Sequence, residues 1–103
     1  MGSEQEMAEG STRILLLTQE HCGFCTQAQD MLDRLAREYP LSISTLDMQS
    51  PEGQKLALQG GFLFPPGVLI EDKPFSYGRL SERKLRCELD RRLNSRENYF
   101  SLL

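Results

Sequence analysis

Two cysteines separated by two residues, Cys22-Gly23-Phe24-Cys25, stand between a run of four aliphatic residues, Ile14-Leu15-Leu16-Leu17, and a segment whose apolar residues recur every three or four positions. Consecutive aliphatics leave no polar face, so Arg13 to Thr18 reads as a strand covered on both sides, the environment of a central strand in an α/β sheet. From Cys25 on, Ala28, Met31, Leu32, Leu35, Ala36 and Tyr39 recur at intervals of three and four and share one face of an amphipathic helix, a run that Pro40 stops. The cysteine pair falls at the strand-to-helix junction. There the free N–H groups and the positive end of the helix dipole favour a thiolate over a thiol.

The rest of the chain continues the alternation of strand and helix. Leu41 to Leu46 alternates apolar and polar residues, with β-branched Ile43 and Thr45, and reads as a second strand. Ser50 followed by Pro51 and Glu52 is a helix start, because serine caps free N–H groups and proline lacks an N–H that the first turn cannot use. Gly60-Gly61 closes that helix. Val68 to Ile70 is a third strand, and Glu71-Asp72-Lys73 turns the chain into a fourth over Pro74 to Tyr77. Ser81-Glu82 opens the last helix, whose buried stripe is Leu85, Leu89 and Leu93. The order predicts one α/β domain over residues 13–94, with a mixed four-stranded sheet flanked by three helices and its first two strands parallel across a helical crossover. Residues 1–12 are polar and aperiodic and read as a mobile N-terminal tail. Residues 95–103 read as a C-terminal tail.

Charge and cysteine count narrow the function. Twelve basic residues against fifteen acidic ones leave a net charge of -3, which gives no drive toward nucleic acid or anionic lipid. No apolar run approaches the roughly 20 residues of a membrane-spanning helix. Glu4, Glu6 and Glu9 stand where a secretory signal carries positive charge, so the expected compartment is the cytoplasm. An odd count of three cysteines argues against a disulfide framework and leaves Cys22 and Cys25 as a reactive pair in a reducing compartment. Cys22, at the helix start, is the candidate nucleophile. Cys25, one turn on, is placed to attack a mixed disulfide on Cys22 and release the reduced product.

The bland readings of the pair are two buried small hydrophobes or half a metal site. A tetrahedral zinc site needs four ligands and the chain adds only His21 and Cys87, the former awkwardly adjacent to Cys22, so no metal site is expected. His21 reads as a solvated loop residue. Cys87 lies off the leucine stripe of its helix and reads as a partly exposed bystander. Seven of the twelve basic residues fall between Arg79 and Arg96, where Glu82 with Arg86 and Glu88 with Arg92 form i,i+4 pairs on a solvated face. A functional reading of this basic segment, for an acidic partner or the carboxylates of a thiol cofactor, requires Arg79 or Arg83 near Cys22.

From Arg13 to Leu93 the chain resembles thioredoxin-fold proteins of the glutaredoxin family: Cys22-Gly23-Phe24-Cys25 follows the first strand, and Gly61-Phe62-Leu63-Phe64-Pro65-Pro66 precedes the hairpin. The resemblance implies a thioredoxin-like fold and thiol–disulfide exchange without metal, flavin or any tightly bound cofactor. Electrons would come from glutathione, another small thiol or a reductase protein. The implied substrate is a disulfide-containing protein or a low-molecular-weight thiol. It also implies a cis-proline facing the cysteines, either Pro65 or Pro66; counting back from Glu71-Asp72 favours Pro66, and Gly78 matches the glycine after the fourth strand. Phe24, Pro65, Pro66 and Gly78 are accordingly the expected substrate-binding residues. Departures are equally specific. Gly23 resembles the monothiol members, which carry serine where this chain has Cys25; Gln19 stands where a lysine often holds the glutathione carboxylate; Phe64-Pro65 replaces Thr-Val. A cis Pro66 leaves Pro65 a carbonyl acceptor but no N–H donor for a substrate backbone. The chain also lacks tryptophan and has Leu16, not aspartate, six residues before Cys22, unlike thioredoxin. Two other readings are a redox-inactive binding module on the same fold and an iron–sulfur-ligating protein using Cys22 from two protomers with external thiols.

Overall fold

The aliphatic run forms strand β1 (Thr12–Thr18) in the computed structural model, which describes residues 11–102 and the side chains of residues 11–93. Of the tail expected over residues 1–12, residues 1–10 lie outside the described residues. Thr12 belongs to β1 because its N–H finds a partner, donating to the Pro40 carbonyl at 2.8 Å. Helix α1 (Gly23–Leu35), strand β2 (Leu41–Asp47), helix α2 (Pro51–Gly60), strands β3 (Gly67–Ile70) and β4 (Lys73–Tyr77), and helix α3 (Glu82–Leu102) follow in order.

The strands form one sheet in the order β2-β1-β3-β4. Strand β1 pairs parallel with β2, from Thr12 opposite Leu41 to Thr18 opposite Asp47, and antiparallel with β3, where Leu17 faces Gly67. The β3–β4 hairpin turns through Glu71 and Asp72, both left-handed at φ 51 and 67, the backbone that a two-residue hairpin turn uses. Pro74 sits in the edge strand β4, where the N–H it lacks is least missed. This is the thioredoxin-like α/β fold: a mixed four-stranded sheet with three helices.

Side-chain alternation along the two central strands builds two cores. Ile14 and Leu16 of β1, with Val68 and Ile70 of β3, bury against Ala28, Leu32 and Leu35 of α1 and Leu85 and Leu89 of α3. Leu17 and Leu69 point the other way, onto Ala57 of α2, Met48 and Phe62. The sheet is therefore covered on both faces, as a run of four aliphatics requires.

Two helix ends differ from the sequence reading. Helix α1 ends at Leu35, capped by Ala36, although the apolar periodicity continues to Tyr39. The proline after Tyr39 disfavours a helical backbone there, and the chain must reverse so that the Pro40 carbonyl can meet Thr12. Helix α3 runs on through the residues read as a C-terminal tail, because no Gly or Pro interrupts the segment before Leu102.

Polar side chains tie α1 and the turn that follows it to α3. Arg34 binds Glu82 through two bonds of 2.9 and 3.0 Å, Arg86 binds Glu38 at 2.8 and 3.0 Å and Glu82 at 2.9 Å, and the Tyr39 hydroxyl donates to Asp90 at 2.7 Å. The i,i+4 pairs Glu82 with Arg86 and Glu88 with Arg92 form as their spacing predicts.

Candidate active site

The cysteine pair sits where β1 gives way to α1. After Thr18 the chain turns through Gln19, Glu20 and His21, and His21 takes a left-handed backbone at φ 58 that redirects the chain into the helix. Cys22 is the N-cap residue. Its backbone is extended (φ -119, ψ 104), its carbonyl accepts the N–H groups of Cys25 and Thr26 at 3.2 Å each, and its Sγ accepts the Cys25 N–H at 3.1 Å. A sulfur that accepts a backbone N–H at the positive end of a helix is held in surroundings that favour the thiolate.

Cys22 and Cys25 are joined in a disulfide, with Cα atoms 5.2 Å apart. Their environments are unequal. Cys22 is half-exposed, whereas Cys25 is 5% exposed and forms part of the α1 face turned to the sheet. An incoming sulfur reaches Cys22 first. An open cleft of about 520 Å3 beside the pair is lined by Thr18, Gln19, His21, Thr26, Gln29 and Asp30, and among the described residues no lysine or arginine lines it.

The peptide bond between Pro65 and Pro66 is cis, at the proline favoured by counting from the hairpin turn. Pro66 is buried and its carbonyl accepts the Gly78 N–H at 2.8 Å. Because Gly67 pairs with Leu17, the residue before it lies beside the carboxyl end of β1, the same end of the sheet at which the turn to Cys22 begins. Gly78 has φ 79, and a Cβ there would approach the Phe64 ring to 2.8 Å, so glycine lets the ring lie close over the backbone. Phe24, on the first turn of α1, is 46% exposed.

Sequence reasoning missed the aromatic surface around these residues. Leu63, Phe64 and Tyr77 are exposed, and Phe64 meets Tyr77 edge-on at 5.2 Å between ring centroids. The signal was present, since apolar residues flanking a double proline in a loop have no helix or strand face to bury. Arg79 and Arg83 do not line the Cys22 cleft; they line a separate groove with the exposed Cys87. Among the described residues no three His, Cys, Asp or Glu side chains come together as a metal-holding group, and no helix is long and apolar enough to cross a membrane.

Fold and site together define a thioredoxin-fold protein with a Cys22–Cys25 pair, and that combination suggests a thiol–disulfide oxidoreductase. A probable thioredoxin from Archaeoglobus fulgidus is 32% identical over 84 residues, covering 82% of this chain and 91% of that protein, and the chain belongs to the thioredoxin-like superfamily. No protein-family model matches it. Among solved structures, a thioredoxin variant from Halobacterium salinarum superposes with a TM-score of 0.62 at 16% identity, covering 85% of this chain and 80% of that one. Mitochondrial thioredoxin 3 from Saccharomyces cerevisiae, in its oxidised form, gives 0.58 at 14% identity, over 86% of this chain and 87% of that one. The glutaredoxin resemblance is narrower than these relations support, and the kinship with a thioredoxin holds despite the missing tryptophan and the Leu16 position.

Proposed function

We propose that the protein is a dithiol oxidoreductase that reduces protein disulfides through Cys22 and Cys25. The observation that carries this reading is the asymmetry of the pair: an accessible sulfur that caps a helix, bonded to a buried one a turn away. In the reduced protein the Cys22 thiolate attacks one sulfur of a substrate disulfide, forming a mixed disulfide and expelling the other substrate sulfur as a thiolate. Cys25, deprotonated, then attacks the Cys22 sulfur. The intramolecular disulfide forms, the second substrate sulfur leaves, and the two protons given up by the cysteines reside on the two substrate thiols. Two electrons and two protons from external thiols restore the dithiol.

A low-molecular-weight thiol such as glutathione, or a reductase protein, is the electron source. The cleft residues favour a protein segment over glutathione as the preferred occupant, since glutathione brings two carboxylates that find no lysine or arginine among them. Phe24 and Pro65 face that segment, Pro65 offering a carbonyl only, while the buried Pro66 and Gly78, joined by their backbone hydrogen bond, hold the loop beneath them.

The test is disulfide reduction with dithiothreitol as electron donor. Cys22→Ser is expected to lose activity to background. Cys25→Ser is expected to accumulate a covalent adduct with the substrate, visible by mass spectrometry and released by excess thiol. Full activity of Cys22→Ser would refute the assignment of the nucleophile.

A further inference from the structure

A groove of about 570 Å3 runs between β4 and α3, separate from the Cys22 cleft. Its walls carry four cationic side chains, Arg79, Arg83, Lys84 and Arg91, against a single carboxylate, Glu88. Glu88 is already taken up by Arg91 and Arg92. Arg79, Arg83 and Lys84 have no ion-pair partner among the described residues, unlike Arg34 and Arg86, which are engaged with Glu82 and Glu38. The Ser76 hydroxyl, on the same wall, is buried without a hydrogen-bond partner among the described residues. In a chain of net charge -3 this is a localised positive surface.

The groove lies within reach of the cysteines. Tyr77 forms part of its wall and meets Phe64 at 5.2 Å, in the loop that carries Pro65 and Pro66. Leu17, Gly67 and Tyr77 make one row across the sheet. With strands about 4.8 Å apart, Tyr77 stands about 10 Å from the end of β1, where the Cys22 cleft begins. An extended peptide covers that distance in about three residues.

We propose that the groove holds an acidic segment of the disulfide-bearing protein substrate, its carboxylates on Arg79, Arg83 and Lys84 while the cysteine about three or more residues away meets Cys22. This deepens the exchange function proposed above and rests on it. β4 is an edge strand of the sheet, so the groove opens where an extended chain can approach, and the unpaired cations provide complementarity for carboxylates. The exposed rings of Phe64 and Tyr77 supply the apolar contact between the two subsites.

The probes are two synthetic peptides with the same central disulfide, one flanked by glutamates and one by lysines four to six residues away, together with the neutral hydroxyethyl disulfide. With the full chain at low salt, kcat/KM is expected to be about tenfold higher for the acidic peptide than for the basic one, each exposed pair contributing a factor of roughly two to three. The ratio should shrink toward one at high salt. The double variant Arg79→Glu, Arg83→Glu should invert it. A ratio near one at low salt overturns the proposal. If hydroxyethyl disulfide is not turned over at all, the exchange reading itself fails. In that case anisotropy of the labelled acidic peptide with serine in place of cysteine decides the groove separately, weak binding insensitive to the double variant overturning it. Tighter binding of an oligothymidylate of equal charge would assign the groove to nucleic acid and also overturn it.

Discussion

His21 carries a left-handed backbone immediately before the reactive sulfur, and the turn it makes is what allows Cys22 to be extended while its carbonyl already serves the helix. An L-residue in that region costs about 1–2 kcal/mol, and a β-branched side chain suffers most. His21→Val is therefore expected to lower the unfolding free energy of the reduced protein by about 1–2 kcal/mol, while His21→Gly stays within about 1 kcal/mol of the parent, because relief of strain offsets the extra freedom of the unfolded chain. Urea denaturation of both variants measures this. Equal losses for valine and glycine would show that the imidazole, and not the backbone, matters at this position.

Helix α2 lies close against the end of β2 at Gly53. Ser50 caps it, accepting the Gly53 N–H at 3.0 Å. A Cβ on Gly53 would overlap the Asp47 carbonyl and come within 2.9 Å of the Met48 Cα, backbone atoms that cannot rotate away. Gly53→Ala is expected to destabilise the fold by about 2–3 kcal/mol, with a lower thermal midpoint. Gly23 makes the contrast: it opens α1, and a Cβ added there would meet nothing within 4 Å, so Gly23→Ala is expected to raise stability by about 0.5–1 kcal/mol. If the two alanines behaved alike in calorimetry, the close approach of α2 would not be what glycine serves.

Across the whole molecule, arginines hold carboxylates on and between its elements. Hydrogen bonds from Arg34 and Arg86 lower the Glu82 carboxyl from its ordinary 4.5 to about 2. Glu38 is lowered chiefly by the Arg86 bond, Glu71 by the Arg13 backbone N–H, and Glu88 by Arg91. Groups whose folded pKa is depressed contribute stability that is complete above the unfolded value and is lost as pH falls through the folded one. The thermal midpoint is thus expected to be flat from pH 7 to about 5 and to fall from about 4.5 toward 2. Glu82→Gln should flatten part of that slope, and salt should reduce it, because these pairs are exposed. A midpoint unchanged between pH 5 and 3 would mean the network makes no net contribution.

Much of this was legible in the chain. Leu41 and Ile43 at a step of two, four unbroken aliphatics in β1 and steps of three and four in α1 and α3 report which face each element buries, and burial is a local property of the pattern, although Leu46, out of that phase, packs on the opposite core. The junction position of Cys22 and the i,i+4 pairs of α3 follow from the same spacing. What the chain could not disclose is set by contacts between distant segments. That α1 stops at Leu35 depends on Thr12 meeting Pro40; that Pro66 lies by the end of β1 depends on the register of Leu17 with Gly67; that Arg34 and Arg86 are engaged while Arg79, Arg83 and Lys84 find no partner among the described residues depends on α1 packing beside α3. Periodicity encodes how each element meets the core, but sheet register and helix packing are collective, and they alone decide which charges find partners and which remain open to a substrate.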